Sequence, residues 1–226
     1  MAPTSNHNSR ETTRGQQRST RGRRNLDSTR ADAASQKTVS ELALLLGDLA
    51  DRMVLIGGVA VNFWRAPRYT HDVDFTAEAD PGLMSGISER LVSAGYRVTR
   101  EQSANSASGP DFVQFVNDSA SPPRIVEFQA AKTEFQALVI TRGRRLSDDQ
   151  SLLVATPEDL IVLKLIANRP QDIADSIELA QIAGLDWVYI EHWCRPWAIA
   201  DRATGLKIAA AAEGRRLAEL RAAYDA

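Results

Sequence analysis

The sequence predicts an α/β (α+β) fold with a small mixed sheet of about five strands, backed by helices and followed by a helical C-terminal lobe. The first observation is an apolar run at 53–56 that leads into Gly57-Gly58 and then a helical segment. The second is a set of short β-branched and aromatic runs between residues 72 and 130, which favour strands. The third is the helical spacing of apolar residues after residue 156. We therefore expect a core at 38–155 and a lobe at 156–226.

Composition indicates one globular domain, or one domain with a helical appendage. The chain has 226 residues, of which 43% are hydrophobic and 25% charged, with a formal net charge of −2. This charge gives no overall nucleic-acid footprint, and the single Cys194 excludes an internal disulfide framework or a cysteine-based zinc site. No apolar run approaches a membrane span and no signal peptide is visible. We expect a cytoplasmic protein without a membrane partner.

The first segment, 1–37, is rich in Ser, Thr, Asn, Gln and Arg and has almost no large apolar residue. Such a segment buries too little surface to offset its ordering entropy, so we expect disorder. It is also basic, with seven arginines against three acidic residues between positions 10 and 32. It is either a nucleic-acid-binding arm or a dispensable extension, and we favour the second interpretation.

The remaining elements follow from periodicity and from capping residues. A first helix should begin near Thr38, with Val39, Leu42, Leu44, Leu45 and Leu49 inward, and a second helix at 83–94 should bury Leu83, Ile87, Leu91 and Val92. Gly95 should end the second helix. Strands are expected at 53–56, 72–75, 96–100, 112–116, 124–130 and 152–155, and further helices at 59–65, 133–141, after Thr156, after Pro170, after Asp186 and at 208–226.

Two aspartates on one predicted strand form the first candidate site. Side chains alternate along a strand, so Asp72 and Asp74 share one face while Val73 and Phe75 point into a core. Two carboxylates so close together are costly unless something neutralises them. A divalent cation does so, and Mg²⁺ commonly uses one or two carboxylates together with substrate phosphate oxygens.

The Gly57-Gly58 turn supplies a complementary feature. Glycine lets the backbone approach a ligand closely, and the N-terminus of the following helix offers free N–H groups to phosphate. An Asp-x-Asp pair alone is usually just solvated, and Gly-Gly alone is only a turn signal. Their conjunction within twenty residues predicts a phosphate cradle beside a metal-binding pair.

A second candidate lies where two helices meet. Thr156 should cap a helix with Pro157 at its first position, and Lys164 lies in the middle of that helix among apolar residues. Pro170 should start the next helix, on which Asp172 and Asp175 share a face. Such a lysine either reaches solvent or pairs structurally with an aspartate, or it belongs to a functional site.

At this point the sequence resembles the polymerase-β-type nucleotidyltransferase superfamily, whose signature is an apolar run, a Gly-Gly or Gly-Ser turn, and Asp-apolar-Asp or Asp-apolar-Glu. The run Arg68-Tyr69-Thr70-His71-Asp72-Val73-Asp74 is most similar to the AbiEii/AbiGii-toxin-like branch. The resemblance covers about 45–185. It implies the nucleotidyltransferase fold and transfer of a nucleotide from an NTP such as ATP, with Mg²⁺ or Mn²⁺, to an acceptor hydroxyl. It also implies tRNA or protein as acceptor, and a cognate antitoxin as partner.

The same resemblance implies roles for individual residues. The metal ligands would be Asp72, Asp74 and Glu127, where Glu127 replaces the usual third aspartate on a neighbouring strand. The nucleotide and phosphate contacts would be Gly57, Gly58, Arg68, Thr70, Lys164 and Arg169, and the catalytic set would be Asp72, Asp74, Glu127, Lys164 and Asp172. Asp172 would orient the triphosphate or act on the acceptor hydroxyl.

Two other classes stay open. Glutamate at position 127 leaves room for a catalytically weakened member that binds nucleotide or a partner without turnover. The basic tail leaves room for an RNA-binding protein whose globular part is a scaffold. The sequence therefore predicts an enzyme site and keeps two binding functions as alternatives.

Overall fold

The computed structural model describes residues 35–65, 67–103, 110–145 and 151–224. Most of the predicted disordered tail, residues 1–34, lies outside the described residues. The fold is mixed α/β, as predicted, with a six-stranded sheet in the order β3-β4-β5-β2-β1-β6. The strands are β1 (Met53–Ile56), β2 (Asp72–Glu78), β3 (Arg97–Gln102), β4 (Phe112–Asn117), β5 (Arg124–Ala131) and β6 (Leu153–Val154).

Eight helices flank or follow the sheet among the described residues. The first, α1, spans 35–46 and is followed by a 3₁₀ turn at Gly47–Arg52. It begins before Thr38, so Thr38 and Ser40 lie inside the helix and do not start it. The others are α2 (Gly57–Trp64), α3 (Pro81–Ser93), α4 (Glu134–Arg142), α5 (Pro157–Ala167), α6 (Pro170–Leu179), α7 (Trp187–Cys194) and α8 (Ala200–Tyr224). None of the helices described is both long and apolar enough to cross a membrane.

Strand register brings the predicted carboxylates together. β1 and β2 are antiparallel with Ile56 opposite Asp74, and β2 and β5 are parallel with Asp74 opposite Glu127. Residues in register on adjacent strands point to the same face. The turn after Ile56, the Asp-x-Asp pair and Glu127 therefore meet at one edge of one sheet face.

The opposite face of β2 enters the apolar core, as the alternation predicted. Val73 and Phe75 are buried, and the Phe75 ring stacks on Phe128 with centroids 4.9 Å apart. The Phe128 ring also meets Phe115 edge-on at 6.1 Å. Each fully buried ring contributes on the order of 2 to 3 kcal/mol of transfer free energy, so this cluster fixes which face of β2 is left for the carboxylates.

Two residues expected in the core are on the surface. Leu44 is 91% exposed and Val92 is 53% exposed. On α1 the buried pair is Leu42 and Leu46, spaced i, i+4, and Leu44 falls on the far side of the helix between them. On α3 the i, i+4 pair Ile87 and Leu91 takes the core-facing stripe.

A buried polar cluster joins the lobe to the core. Thr156 caps α5 by accepting from the Asp159 amide, and Asp159 is fully buried. Its carboxylate accepts from Arg142 Nε at 3.2 Å and from the Tyr189 hydroxyl at 2.5 Å. The Arg142 guanidinium lies 4.1 Å from the Tyr189 ring centroid. Because these residues belong to α4, α5 and α7, the cluster fixes how α5 approaches the sheet.

Candidate active site

One cleft of about 880 Å³ lies between the open face of β2 and β5 and the helices α5 and α6. All ten predicted site residues line it: Gly57, Gly58, Arg68, Thr70, Asp72, Asp74, Glu127, Lys164, Arg169 and Asp172. The structure thus brings two motifs about one hundred residues apart into one cavity.

Two carboxyls on β2 are destabilised in their charged forms by burial and by neighbouring negative charge. Burial raises the pKa of Asp74 to about 7, with further contributions from Glu127 and Asp72. Burial also raises the pKa of Asp72, and Glu127 adds to the effect. Glu127 is held by Gln114, whose Nε2 donates to Glu127 Oε1 at 2.6 Å. Like charges gathered in a partly desolvated cleft favour a cation among them.

The Gly57-Gly58 turn packs directly against the polar residues of the site. Gly57 has φ of +68°, and a Cβ there would overlap the Asp74 carboxylate. At Gly58 a Cβ would lie 2.7 Å from Thr70 Oγ1 and 2.9 Å from Arg68 Nη2. The N-cap residue of α2, Ile56, makes no side-chain hydrogen bond to the first turn. A helix N-terminus presents N–H groups that lack intrahelical partners, and the two glycines let an anion approach them closely.

Lys164 is the centre of an ion network on the helical side. Its side chain is 8% exposed, and its ammonium lies 3.0 Å from Asp172 Oδ1 and 2.8 Å from Asp175 Oδ2. The amphipathic phase of α6 buries both aspartates against α5. Of the two structural alternatives considered for this lysine, the structure has the pairing rather than a solvent-directed side chain.

Each aspartate also holds one arginine. Asp172 accepts from Arg169 Nε at 2.6 Å, and Asp175 accepts from Arg68 Nε and Nη2, both at 2.6 Å. Burial alone would raise the pKa of each carboxyl, but the hydrogen bonds from Arg169 and Lys164 lower the pKa of Asp172, and those from Arg68 and Lys164 lower the pKa of Asp175. The three cations Arg68, Lys164 and Arg169 outnumber Asp172 and Asp175. This side of the cleft therefore has a net positive charge and faces the acidic strands.

The residues present fit a divalent cation bound together with a phosphate. Asp72 Oδ1 is buried and has no hydrogen-bond partner in the described part of the chain, which is the state of an oxygen awaiting a ligand. Among the described residues, no three or more His, Cys, Asp or Glu side chains lie close enough together to form a complete metal site by themselves. Mg²⁺ needs only one or two carboxylates when substrate oxygens and water fill the remaining positions.

Several residues that line the cleft or hold its side chains in place were not found from the sequence. Asp175 was visible as the i+3 partner of Asp172, but nothing local indicated that it binds Arg68 across 107 positions. Asn62 binds both polar groups of the Arg68 backbone. Its side chain donates to the Arg68 carbonyl at 2.8 Å and accepts from the Arg68 amide at 3.0 Å. Three more residues were not indicated by the sequence and enter the site through tertiary structure: Gln114 beside Glu127, and Gln129 and Gln136 in the cleft lining. Trp197, for which the sequence favoured a core anchor between helices over a base-stacking surface, contacts Phe135 and also lines the cleft.

The acidic strand pair, the glycine turn and the facing cations on a mixed sheet define a protein of the nucleotidyltransferase class. Within it the chain belongs to the AbiEii family, because the model described as "Nucleotidyl transferase AbiEii toxin, Type IV TA system" matches residues 42–191. No curated protein sequence gives a significant match.

Three solved structures resemble the chain at low sequence identity. The Megavirus polyadenylate synthase has 10% identity and a TM-score of 0.52, covering 80% of this chain and 40% of that chain. JHP933 from Helicobacter pylori has 14% identity and a TM-score of 0.44, with coverages of 83% and 95%. The antibiotic-resistance factor ANT(2'')-Ia has 15% identity and a TM-score of 0.43, with coverages of 85% and 98%. At such identities the Megavirus likeness supports the fold alone.

Proposed function

We propose that this protein transfers a nucleoside monophosphate from an NTP to an acceptor hydroxyl with the help of Mg²⁺ or Mn²⁺. The observation that carries the proposal is the pairing, across one cleft, of three carboxylates on adjacent strands with a wall of three cations and a glycine turn. An NTP with a divalent cation has the complementary charges: Arg68, Lys164 and Arg169 would bind its phosphates, and the strand carboxylates would hold the metal.

Asp72 and Asp74 are the residues that would hold the metal, with Glu127 as the third ligand. When bound, the metal supplies charge neutralisation at the phosphates. The requirement for it follows from the buried, unpartnered Asp72 Oδ1 and the raised pKa of Asp74, which mark oxygens in need of a counter-charge.

The chain itself binds and orients the nucleotide. The Gly57 and Gly58 backbone, with the Thr70 hydroxyl beside it, receives a phosphate at the N-terminus of α2. Lys164 and Arg169 neutralise the charge that accumulates on the leaving pyrophosphate. Asp172 and Asp175 are ligands of these cations, so we propose that they position the cations and do not contact the acceptor.

The transfer step itself uses one strand residue. The acceptor oxygen forms a bond to the α-phosphorus while the bond from that phosphorus to the bridging oxygen breaks, and pyrophosphate leaves. The acceptor proton passes to the Glu127 carboxylate, which the 2.6 Å bond from Gln114 holds in place. Most of the rate enhancement would come from positioning and charge stabilisation.

The acceptor and the partner follow from the family rather than from contacts in the cleft. The family description names a toxin of a toxin–antitoxin system. We therefore propose that the acceptor is a cellular macromolecule, tRNA or protein, and that a cognate antitoxin opposes the activity.

A transfer assay tests the proposal. Purified protein is incubated with Mg²⁺, each α-labelled NTP, and total RNA or protein extract, beside Asp74→Asn and the control Asp51→Asn, which changes an exposed ion-pair residue. We expect label on one acceptor class with wild type and Asp51→Asn, and a loss of at least a hundredfold with Asp74→Asn. NTP binding without transfer to any acceptor would instead favour the weakened binding module.

A further inference from the structure

One part of the cleft has no role in the transfer step described above. It is lined by uncharged side chains from β5, α4, α5 and the 3₁₀ turn at Arg195–Trp197, which follows α7. These side chains are Gln129, Phe135, Gln136, Leu163, Ile166 and Trp197. Its chemistry differs from the charged half, because it combines aromatic and aliphatic surface with two amides.

The strands fix where this part lies relative to the carboxylates. Gln129 is in register with Thr76 on β2, one strand period beyond the Asp74–Glu127 pair. β1 ends at the level of Asp74, so the glycine turn lies on the other side of that pair. The uncharged part and the phosphate cradle are therefore on opposite sides of the carboxylates. The step from Glu127 to Gln129 along β5 is one strand period, which is about 7 Å.

The cap of α4 determines which end of the Gln136 amide is available. Gln136 Oε1 accepts from the Lys132 amide at 2.9 Å and from the Thr133 amide at 3.1 Å, and Thr133 completes a capping box. Since the oxygen is occupied by backbone donors, Nε2 is the end left over, and it has no partner within the described residues. Gln136 thus offers a hydrogen-bond donor to the cleft.

Gln129 offers a second amide group nearby. Its Nε2 donates to Thr76 Oγ1 at 2.8 Å. Since the nitrogen is engaged, the amide oxygen is the end left to accept a hydrogen bond from a ligand. Trp197 is half-buried with its ring centroid 5.7 Å from that of Phe135, and Leu163 and Ile166 add half-buried apolar surface.

We propose that this part of the cleft is a nucleobase subsite in which Trp197 contacts the face of the base and the amides of Gln136 and Gln129 read its edge. A flat, uncharged ring with a polar edge matches the lining, because aromatic contact is favourable for any base while amides discriminate between edges. The inference rests on the proposed nucleotidyl transfer and adds the residues that select the base. The base belongs either to the NTP or to the acceptor terminus.

Gln136→Glu is the variant that tests the subsite. A glutamate at this position of a capping box still accepts from the backbone amides, so the cap of α4 is kept, while the donor facing the cleft is replaced by an acceptor. Gln181→Glu is the matched control, since Gln181 does not line the cleft and its side chain donates to the Ile177 carbonyl of its own neighbourhood.

The measurement is calorimetric binding of the four NTPs, ribose 5′-triphosphate and inorganic tripolyphosphate, each with Mg²⁺, without acceptor. If the base is that of the NTP, wild type should bind its preferred NTP at least tenfold more tightly than ribose 5′-triphosphate. Gln136→Glu should lose most of that difference while binding tripolyphosphate within twofold of wild type, and Gln181→Glu should match wild type throughout.

If the base is that of the acceptor, the NTP affinities stay unchanged and Gln136→Glu alters which terminal base the acceptor needs in the transfer assay, by tenfold or more in kcat/KM. The inference is overturned if neither the NTP preference nor the acceptor preference changes while wild type still transfers. A wild-type protein that binds neither NTP nor tripolyphosphate would overturn the proposed function as well, so the two failures are distinguishable.

Discussion

The Arg68 guanidinium makes two 2.6 Å hydrogen bonds to the Asp175 carboxylate, which joins the loop before the acidic strand to a helix of the C-terminal lobe. Asp175 is only 2% exposed and also binds Lys164. One buried carboxylate thus fixes the positions of two cations that face the substrate cleft. The relative placement of the sheet and the lobe depends on the same carboxylate.

Asp175→Asn tests this arrangement. The amide cannot neutralise Arg68 and Lys164, and breaking a buried pair by changing one partner leaves the other charge uncompensated. We expect a stability loss of about 3 to 5 kcal/mol by urea unfolding and a fall in kcat/KM of about ten- to a hundredfold.

The control for this change is Glu178→Gln on the same helix, where an exposed carboxylate faces Arg65 at 3.4 Å. Exposed pairs contribute about 0 to 1 kcal/mol, so this variant should resemble wild type. Equal effects of the two variants would contradict the positioning role of Asp175.

The raised pKa of Asp74 predicts a pH-dependent stability of the metal-free protein. The folded state keeps this carboxyl protonated up to a pKa of about 7, whereas the unfolded chain ionises near pH 4. The folded state therefore binds more protons between these values, and stability falls as pH rises from 4 to 7. In EDTA, wild type should lose about 2 kcal/mol more than Asp74→Asn between pH 5 and pH 8; parallel curves would show that Asp74 is not desolvated.

Gly57 should not tolerate a side chain. Its φ of +68° and the overlap of a Cβ with the Asp74 carboxylate predict that Gly57→Ala loses at least about 2 kcal/mol or displaces Asp74, and that transfer is abolished. Gly86→Ala is the matched control, because a Cβ on that α3 glycine meets nothing within 4 Å. It should gain about 0.5 to 1 kcal/mol, and a comparable loss in both variants would contradict the close approach at Gly57.

The cluster between core and lobe predicts a loss of stability in Tyr189→Phe. The phenol donates to the buried Asp159 carboxylate, so its removal leaves a buried acceptor one donor short, at a cost of about 1 to 2 kcal/mol, while Arg142 keeps its aromatic contact. Tyr69→Phe at a 44% exposed position should change stability by less than about 0.5 kcal/mol. Thermal unfolding of both variants checks the difference, and equal melting temperatures would contradict it.

Local sequence patterns predicted much of the fold. The strand at 53–56, the glycine turn, the alternation around Asp72 and Asp74, and the caps at Thr156, Pro170 and Asp186 all depend on near neighbours, and the structure has each of them. The errors at Leu44 and Val92 came from helical faces, where periodicity allows more apolar positions than the core has room for.

The sequence by itself determined the fold class and which side chains carry charge toward the cleft, because strand alternation, capping and turn chemistry are set by residues a few positions apart. Only the tertiary structure decided how those charges are paired. Arg68 pairs with Asp175, and Gln114 holds Glu127. These contacts depend on strand order and on where α4 and α6 pack, and sequence spacing does not encode distance across a folded chain.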